Sequence, residues 1–168
     1  MRDKTMMKWE GEKVILKGHD TVKRSAMEIA MLIQRDAVML CAVDQGQTRA
    51  SISISDEKGL VSGKGQDFPK APAGSVLVGT VYPSAPFLEF GTGPHKTANG
   101  SKEFLSSLKD WCVKHGLADV EFLIVRSIRR RGTRPHPFMR PALDRAKGKD
   151  LDMILMENGK REFAGYVK

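Results

Sequence analysis

The feature that most restricts this chain is a change of hydrophobic period. From Thr21 to Cys41, apolar residues fall at Val22, Ala26, Ile29, Ala30, Ile33, Ala37, Leu40 and Cys41. That continuous 3.6-residue stripe predicts an amphipathic helix with one face to bury. Asp20 stands where an N-cap would accept bonds from the first free amides. At 1.5 Å per residue the helix would run about 31 Å. Met27, Met31 and Met39 widen its apolar face and suit a core or a subunit contact. The pattern breaks in a turn at Val43-Asp44-Gln45-Gly46. TRASISIS, Thr48 to Ser55, then alternates strictly, with Ala50, Ile52 and Ile54 on one face and serines on the other. A period of two predicts a half-buried strand.

The remaining pattern is consistent with one α+β domain over 1–168. A long N-terminal helix would pack on a small, mainly antiparallel sheet, with further helices in the C-terminal half. Residues 1–18 read as an irregular start with a short strand at Lys13–Leu16. Asp56–Gly59 reads as a turn, and Leu60-Val61 as a short returning strand. SGKGQDFPKAPAG, residues 62–74, reads as a mobile surface loop. SVLVGTVY, Ser75 to Tyr82, is a second strand rich in β-branched residues, ended by Pro83 and Pro86. A second mobile loop is expected at 94–101. Ser101 is placed to cap a helix over Lys102–His115, with Phe104, Leu105, Leu108, Trp111 and Cys112 as its stripe and Gly116 as its stop. Asp119 would cap a further helix from Val120 to Arg130, ending at Gly132. Pro135 and Pro137 force an extended link. Pro141 suits the first position of a helix opening PALDRAK. Leu151–Met156 reads as another turn or two of helix. Residues 157–168 read as a turn and closing strand, or as a loose tail.

Composition removes several classes. The chain has 168 residues, 40% hydrophobic and 29% charged, which suits a globular domain with a core of its own. No apolar run approaches the ~20 residues of a membrane span. The polar start MRDKTMMKWEGEK gives no expectation of a secretion signal. Cys41 and Cys112 both fall on apolar helix faces, which reads as a reduced chain without a disulfide framework. Cys112-x-x-His115 offers two ligand types at i, i+3, but a zinc site needs a second close pair. No nucleophile elbow, metalloprotease helix or phosphate-binding loop is present, and nothing brings Glu89 and Asp44 together as acid and base. No metal, cofactor or catalytic residue is expected.

The formal net charge is +8. Such an excess suits nucleic acid, an anionic surface or an acidic protein partner. Arg126, Arg129, Arg130, Arg131, Arg134 and Arg140 lie within fifteen residues. That run suits an anionic partner; the other reading is a solvated face, or a strip that meets a neighbouring subunit.

Three landmarks stand in order: VDQGQTRASI, then YPSAPFLEFGTGPH, then GTRPHPFMRPALD. Together they resemble the tail-completion or head–tail joining family of long-tailed bacteriophages. The second and third match the family pattern almost letter for letter. In the first, Gln45, Gln47 and Thr48 depart from it while Asp44, Gly46, Arg49 and Ser51 fit. The resemblance spans roughly Val22 to Ala146. It implies a small α+β structural subunit without catalysis, acting in the neck or at the head-proximal end of the tail. It also implies a homo-oligomeric ring, a hexamer by the symmetry of the tail, contacting other neck and tail proteins. DNA would pass through that ring, which makes Arg126, Arg129, Arg130 and Arg131, with Lys64 and Lys70 of the 62–74 loop, candidates for lining its channel; the other reading, charge pairing with acidic neighbours, is favoured because DNA must leave without being gripped. Such a subunit would sit in the virion, with the host cytoplasm as its place during assembly.

Under that resemblance the subunit-interface candidates are Phe87, Leu88, Glu89, Phe90, Gly91, Arg134, Phe138 and Arg140. Phe87, Leu88 and Phe90 would be apolar anchors. Glu89 would need a cation such as Arg140 or Arg134, or backbone amides. The other reading of the same stretch has Phe87 and Phe90 filling the subunit's own core. The rival functions are a tail terminator and a small basic nucleic-acid-binding protein.

Overall fold

The computed structural model describes residues 11–65, 67–95 and 102–164. The fold class is α+β, as expected. The chain divides into two compact units, residues 1–82 with 138–168 and residues 83–137, where the sequence pattern showed no break. Among the described residues no helix is long and apolar enough to cross a membrane.

The larger unit is organised by α1, Gly11–Leu40. Its thirty residues span about 45 Å at 1.5 Å per residue. It begins well before the expected Thr21. The strand expected at Lys13–Leu16 is therefore its first turns, and Asp20 is an exposed mid-helix residue rather than a cap. Nothing between 11 and 20 forbids a helix. Gly18 costs about 1 kcal/mol relative to Ala, which weakens a helix without breaking it; beside it Lys17 Nζ lies 3.8 Å from Glu162.

A tight turn, α2 at Gln47–Ala50, leads into β1, Ser53–Ser55. Strand β2, Leu60–Ser62, and strand β3, Leu77–Gly79, flank it in the antiparallel order β2-β1-β3. The registers pair Ile54 with Ser62 and with Val78. The Asp56–Gly59 turn forms as expected, with Asp56 Oδ1 accepting from the amides of Lys58 and Gly59 at 2.8 and 3.0 Å.

Strand β1 corrects the alternation. Ile52, Ser53, Ile54 and Ser55 are all buried. The serines tolerate this because each hydroxyl donates to a backbone carbonyl: Ser53 to Ser51 at 2.9 Å and Ser55 to Pro69 at 2.6 Å. What covers them is the 62–74 stretch. The amide of Gly65 donates to Ser53 Oγ at 3.1 Å, and the amide of Ala71 to the carbonyl of Asp56 at 3.0 Å. Gly63 has φ +101, and a Cβ there would lie 2.7 Å from the carbonyl oxygen of Ile52. Only glycine allows that approach.

Helices α6, Met139–Ala146, and α7, Lys149–Phe163, complete this unit by packing on α1. The expected two turns near Leu151 are part of a fifteen-residue helix. Described residues of the expected tail continue it, while residues 165–168 lie outside the description. Pro141 is the third residue of α6 rather than the first; its missing N–H is still among the donors a helix start leaves unpaired. Asn158 of α7 is 2% exposed and donates to Ser25 Oγ at 3.1 Å and to Glu28 Oε2 at 2.9 Å. A buried polar contact therefore joins α1 to α7.

The smaller unit holds α3, Ala85–Phe90, α4, Lys102–Lys114, and α5, Glu121–Arg131. Cys112 and Val125 are buried. Gly116, at φ +69, stops α4 as expected, and the amide of Leu117 donates to the Cys112 carbonyl at 2.8 Å. The residue before α5 is Val120, not Asp119, which takes the left-handed φ of 66 in the connection. Ser101 and most of the 94–101 loop lie outside the described residues.

Candidate functional site

The second and third landmarks meet inside the smaller unit. α3 ends at Gly91, and the chain then runs extended through Thr92. Thr92 and Thr133 form an antiparallel bridge, each amide donating to the other's carbonyl at 3.1 Å. Their hydroxyls lie 3.0 Å apart, and Thr92 Oγ1 also accepts from the Thr133 amide at 3.0 Å. The His136 amide donates to the carbonyl of Leu88 at 2.7 Å, which pairs one of the acceptors that the end of α3 leaves open.

Glycine makes this pairing possible. Gly91 has φ +67, and a Cβ there would stand 2.5 Å from the Thr133 carbonyl oxygen. Gly132 has φ +74, and its Cβ would overlap the carbonyl oxygen of Thr92. The FGTG and RGTR segments are thus two backbones in close contact. The repeated Gly-Thr pair was the signal in the sequence that could have exposed this.

The bridge leaves the aromatic side chains outside. Phe87 is 60% exposed and Phe90 67% exposed, so neither fills the subunit's core. Leu88 and Glu89 are partly exposed on the same short helix. Arg134 is exposed beside the bridge. Phe138 is 1% exposed, which corrects its place among the surface anchors: its ring belongs to the chain's own interior. Arg140 is exposed on α6 of the other unit.

The first landmark is a helix-to-strand connector in the larger unit. Gly46, at φ +77, opens α2. Thr48 is buried, and the hydroxyls of Ser51 and Thr80 lie 2.5 Å apart. Tyr82 donates its hydroxyl to the Gln47 side chain, and Gln34 donates to the Ile52 carbonyl at 2.9 Å. Burial pushes the Cys41 thiol above its ordinary range, and the Arg49 guanidinium pulls it part of the way back. These contacts position the strand; they do not assemble reactive groups.

Among the described residues no three His, Cys, Asp or Glu side chains gather as a metal site would require. His115 stacks on Trp111 with ring centroids 4.2 Å apart, and its Nδ1 lies 2.8 Å from the Trp111 carbonyl oxygen. That places the ring against its own helix rather than in a Cys112–His115 ligand pair.

Arg126, Arg129, Arg130 and Arg131 are exposed on α5. The last three occupy its final turn, where they complement the helix dipole. Lys64 and Lys70 are exposed in the segment over β1. No family model, curated protein or solved structure matches the chain.

Proposed function

We propose that this chain is a structural subunit of a long-tailed phage or prophage that completes the tail or joins it to the DNA-filled head. It works as a ring-forming protein of the neck or head-proximal tail, assembled in the host cytoplasm and retained in the virion, and it catalyses no reaction. The observation that carries this reading is the order of the three landmarks, VDQGQTRASI, YPSAPFLEFGTGPH and GTRPHPFMRPALD, behind a long helix. The exposure of Phe87 and Phe90 supports it: two aromatic rings on one short helix are natural anchors for a neighbouring subunit.

The test is electron microscopy of an induced lysate lacking only this gene. Filled heads beside separate tails of normal length are the expected result. Tails of uncontrolled length would make the protein a terminator, and intact infectious particles would refute the virion role. Complementation with Phe87→Ser/Phe90→Ser should give a folded protein that fails to restore joining.

A second reading has a specific observation behind it. The exposed arginines of α5, with the +8 net charge, suit a small nucleic-acid-binding protein. A gel shift with a steep salt slope would favour it, since each phosphate contact releases a counterion.

A further inference from the structure

Within the smaller unit, α4 and α5 enclose an open groove of about 830 Å³. Its floor is apolar. Val125 is buried at the bottom, while Leu105 and Phe122 stand 39% and 63% exposed beside it. Its rim is cationic: Lys109 comes from α4, and Arg126, Arg129 and Arg130 come from α5. Phe122, Arg126, Arg129 and Arg130 follow at i, i+4, i+7 and i+8, which puts them on one helix face.

Glu121 is the one carboxylate of the lining, so the groove carries a formal excess of three positive charges, four against one. Its Oε2 is buried without a hydrogen-bond partner among the described residues.

We propose that this groove docks an acidic amphipathic helix of a partner protein. The floor selects apolar side chains and the rim selects carboxylates on either side of them. α5 has eleven residues, so the groove is about 16 Å long, room for three helical turns. Docking an amphipathic helix against such a surface needs only a few apolar anchors at i, i+3, i+4 and i+7. The helix dipole accounts for arginines in the last turn of α5. It does not account for an exposed phenylalanine beside them, or for Lys109 facing them from α4.

Two other occupants fit less well. A second copy of this chain carries the same +8, so charge opposes its approach. A single nucleic-acid strand wants successive aromatic platforms. This groove offers one aromatic ring. The proposal does not rest on the neck reading: the peptide experiment can fail with the virion role intact, and the reverse.

The test is fluorescence anisotropy with the full chain and a stapled three-turn helical peptide. The peptide carries leucines at i, i+3, i+4 and i+7 and is flanked by glutamates. Its controls are the same peptide with lysines for the glutamates, and a labelled oligo(dT). The acidic peptide should bind and the basic one should not. Arg126→Glu/Arg130→Glu and, separately, Phe122→Ser should each weaken binding by about tenfold or more. All three positions are exposed, so circular dichroism should be unchanged. Should one variant unfold, Leu105→Lys serves in its place. No saturable binding of the acidic peptide, equal binding of the basic one, indifference to the variants, or tighter binding of oligo(dT) would each overturn the proposal.

Discussion

Replacing Gly132 with alanine should cost this protein more than almost any other single methyl group. The residue sits at φ 74, ψ −162, a region that side chains other than hydrogen rarely enter. Holding alanine there costs about 1–3 kcal/mol. The new Cβ would overlap the Thr92 carbonyl oxygen and lie 2.7 Å from both the carbonyl carbon and oxygen of Gly93. The two segments must separate, and the reciprocal amide bonds of Thr92 and Thr133 go with them. Two backbone bonds at about 0.5–1.5 kcal/mol each bring the total to roughly 2–6 kcal/mol. A domain of this size has about 5–15 kcal/mol of stability, so the loss is large.

Gly93→Ala is the matched control. A Cβ at Gly93 meets nothing within 4 Å, so its change should stay within about 0.5 kcal/mol. Urea denaturation of both variants measures the difference. Amide hydrogen exchange locates it: the Thr92, Thr133 and His136 amides should exchange faster in the Gly132 variant while those of α1 hold, because local opening precedes global unfolding. Equal stability of the two variants, or exchange changes confined to α1, would refute the close-approach argument.

Other expectations follow from particular contacts. Asn158→Ala should destabilise by about 1–3 kcal/mol through the lost bonds to Ser25 and Glu28; a cycle with Ser25→Ala should show coupling, and simple additivity would count against the contact. The hydrogen bond from Lys23, the Gly74 amide and the Lys23 charge hold the Glu57 carboxyl below its ordinary value. A depressed folded pKa gives stability that is present above the unfolded value of about 4.3 and is lost as pH falls through the folded one, so Glu57→Gln should flatten the acid limb of a stability profile below about pH 4.3. Both cysteines are buried and free, so a thiol reagent should label neither in the native protein and both in urea; rapid native labelling would contradict that burial. Phe87→Ser/Phe90→Ser should leave stability within about 0.5 kcal/mol, as expected of exposed positions.

The body of α1 and helices α4, α5 and α6 were legible in the sequence, but not the start of α1, the short α2 and α3 or the length of α7, and the buried faces were less so. Ala30, Ile33, Ala37 and Cys41 lie inside, as their spacing implied, yet Val22 is 59% exposed. The earlier half of α1 instead buries Thr21 and Ser25. A hydrophobic period cannot register a face closed by hydroxyls and a carboxamide, and Asn158 lies more than a hundred residues away. The same blindness affected β1. Its alternating serines read as solvent-facing, but their carbonyl and amide partners come from the strand itself and from a segment that composition alone marked as a loop. The bridge between Thr92 and Thr133 was hidden for a related reason: forty-one residues separate its partners, and only the backbone needs of two glycines connect them.

This also sorts the letters that suggested a family. Gly46, Gly91 and Gly132 are required by positive φ, and at the last two by contact with another stretch of backbone. Ser51 and Phe138 are held by a hydrogen bond and by burial. Any chain with this fold would tend to need such residues, so they speak for the fold before they speak for a role. Phe87 and Phe90 are different. They stand 60% and 67% exposed, and exposed phenylalanines contribute little to the stability of an isolated subunit. Their exposure is what the proposed subunit contact would use. A folded Phe87→Ser/Phe90→Ser protein that joins heads to tails normally would remove the exposed aromatic part of the motif from the proposed subunit contact.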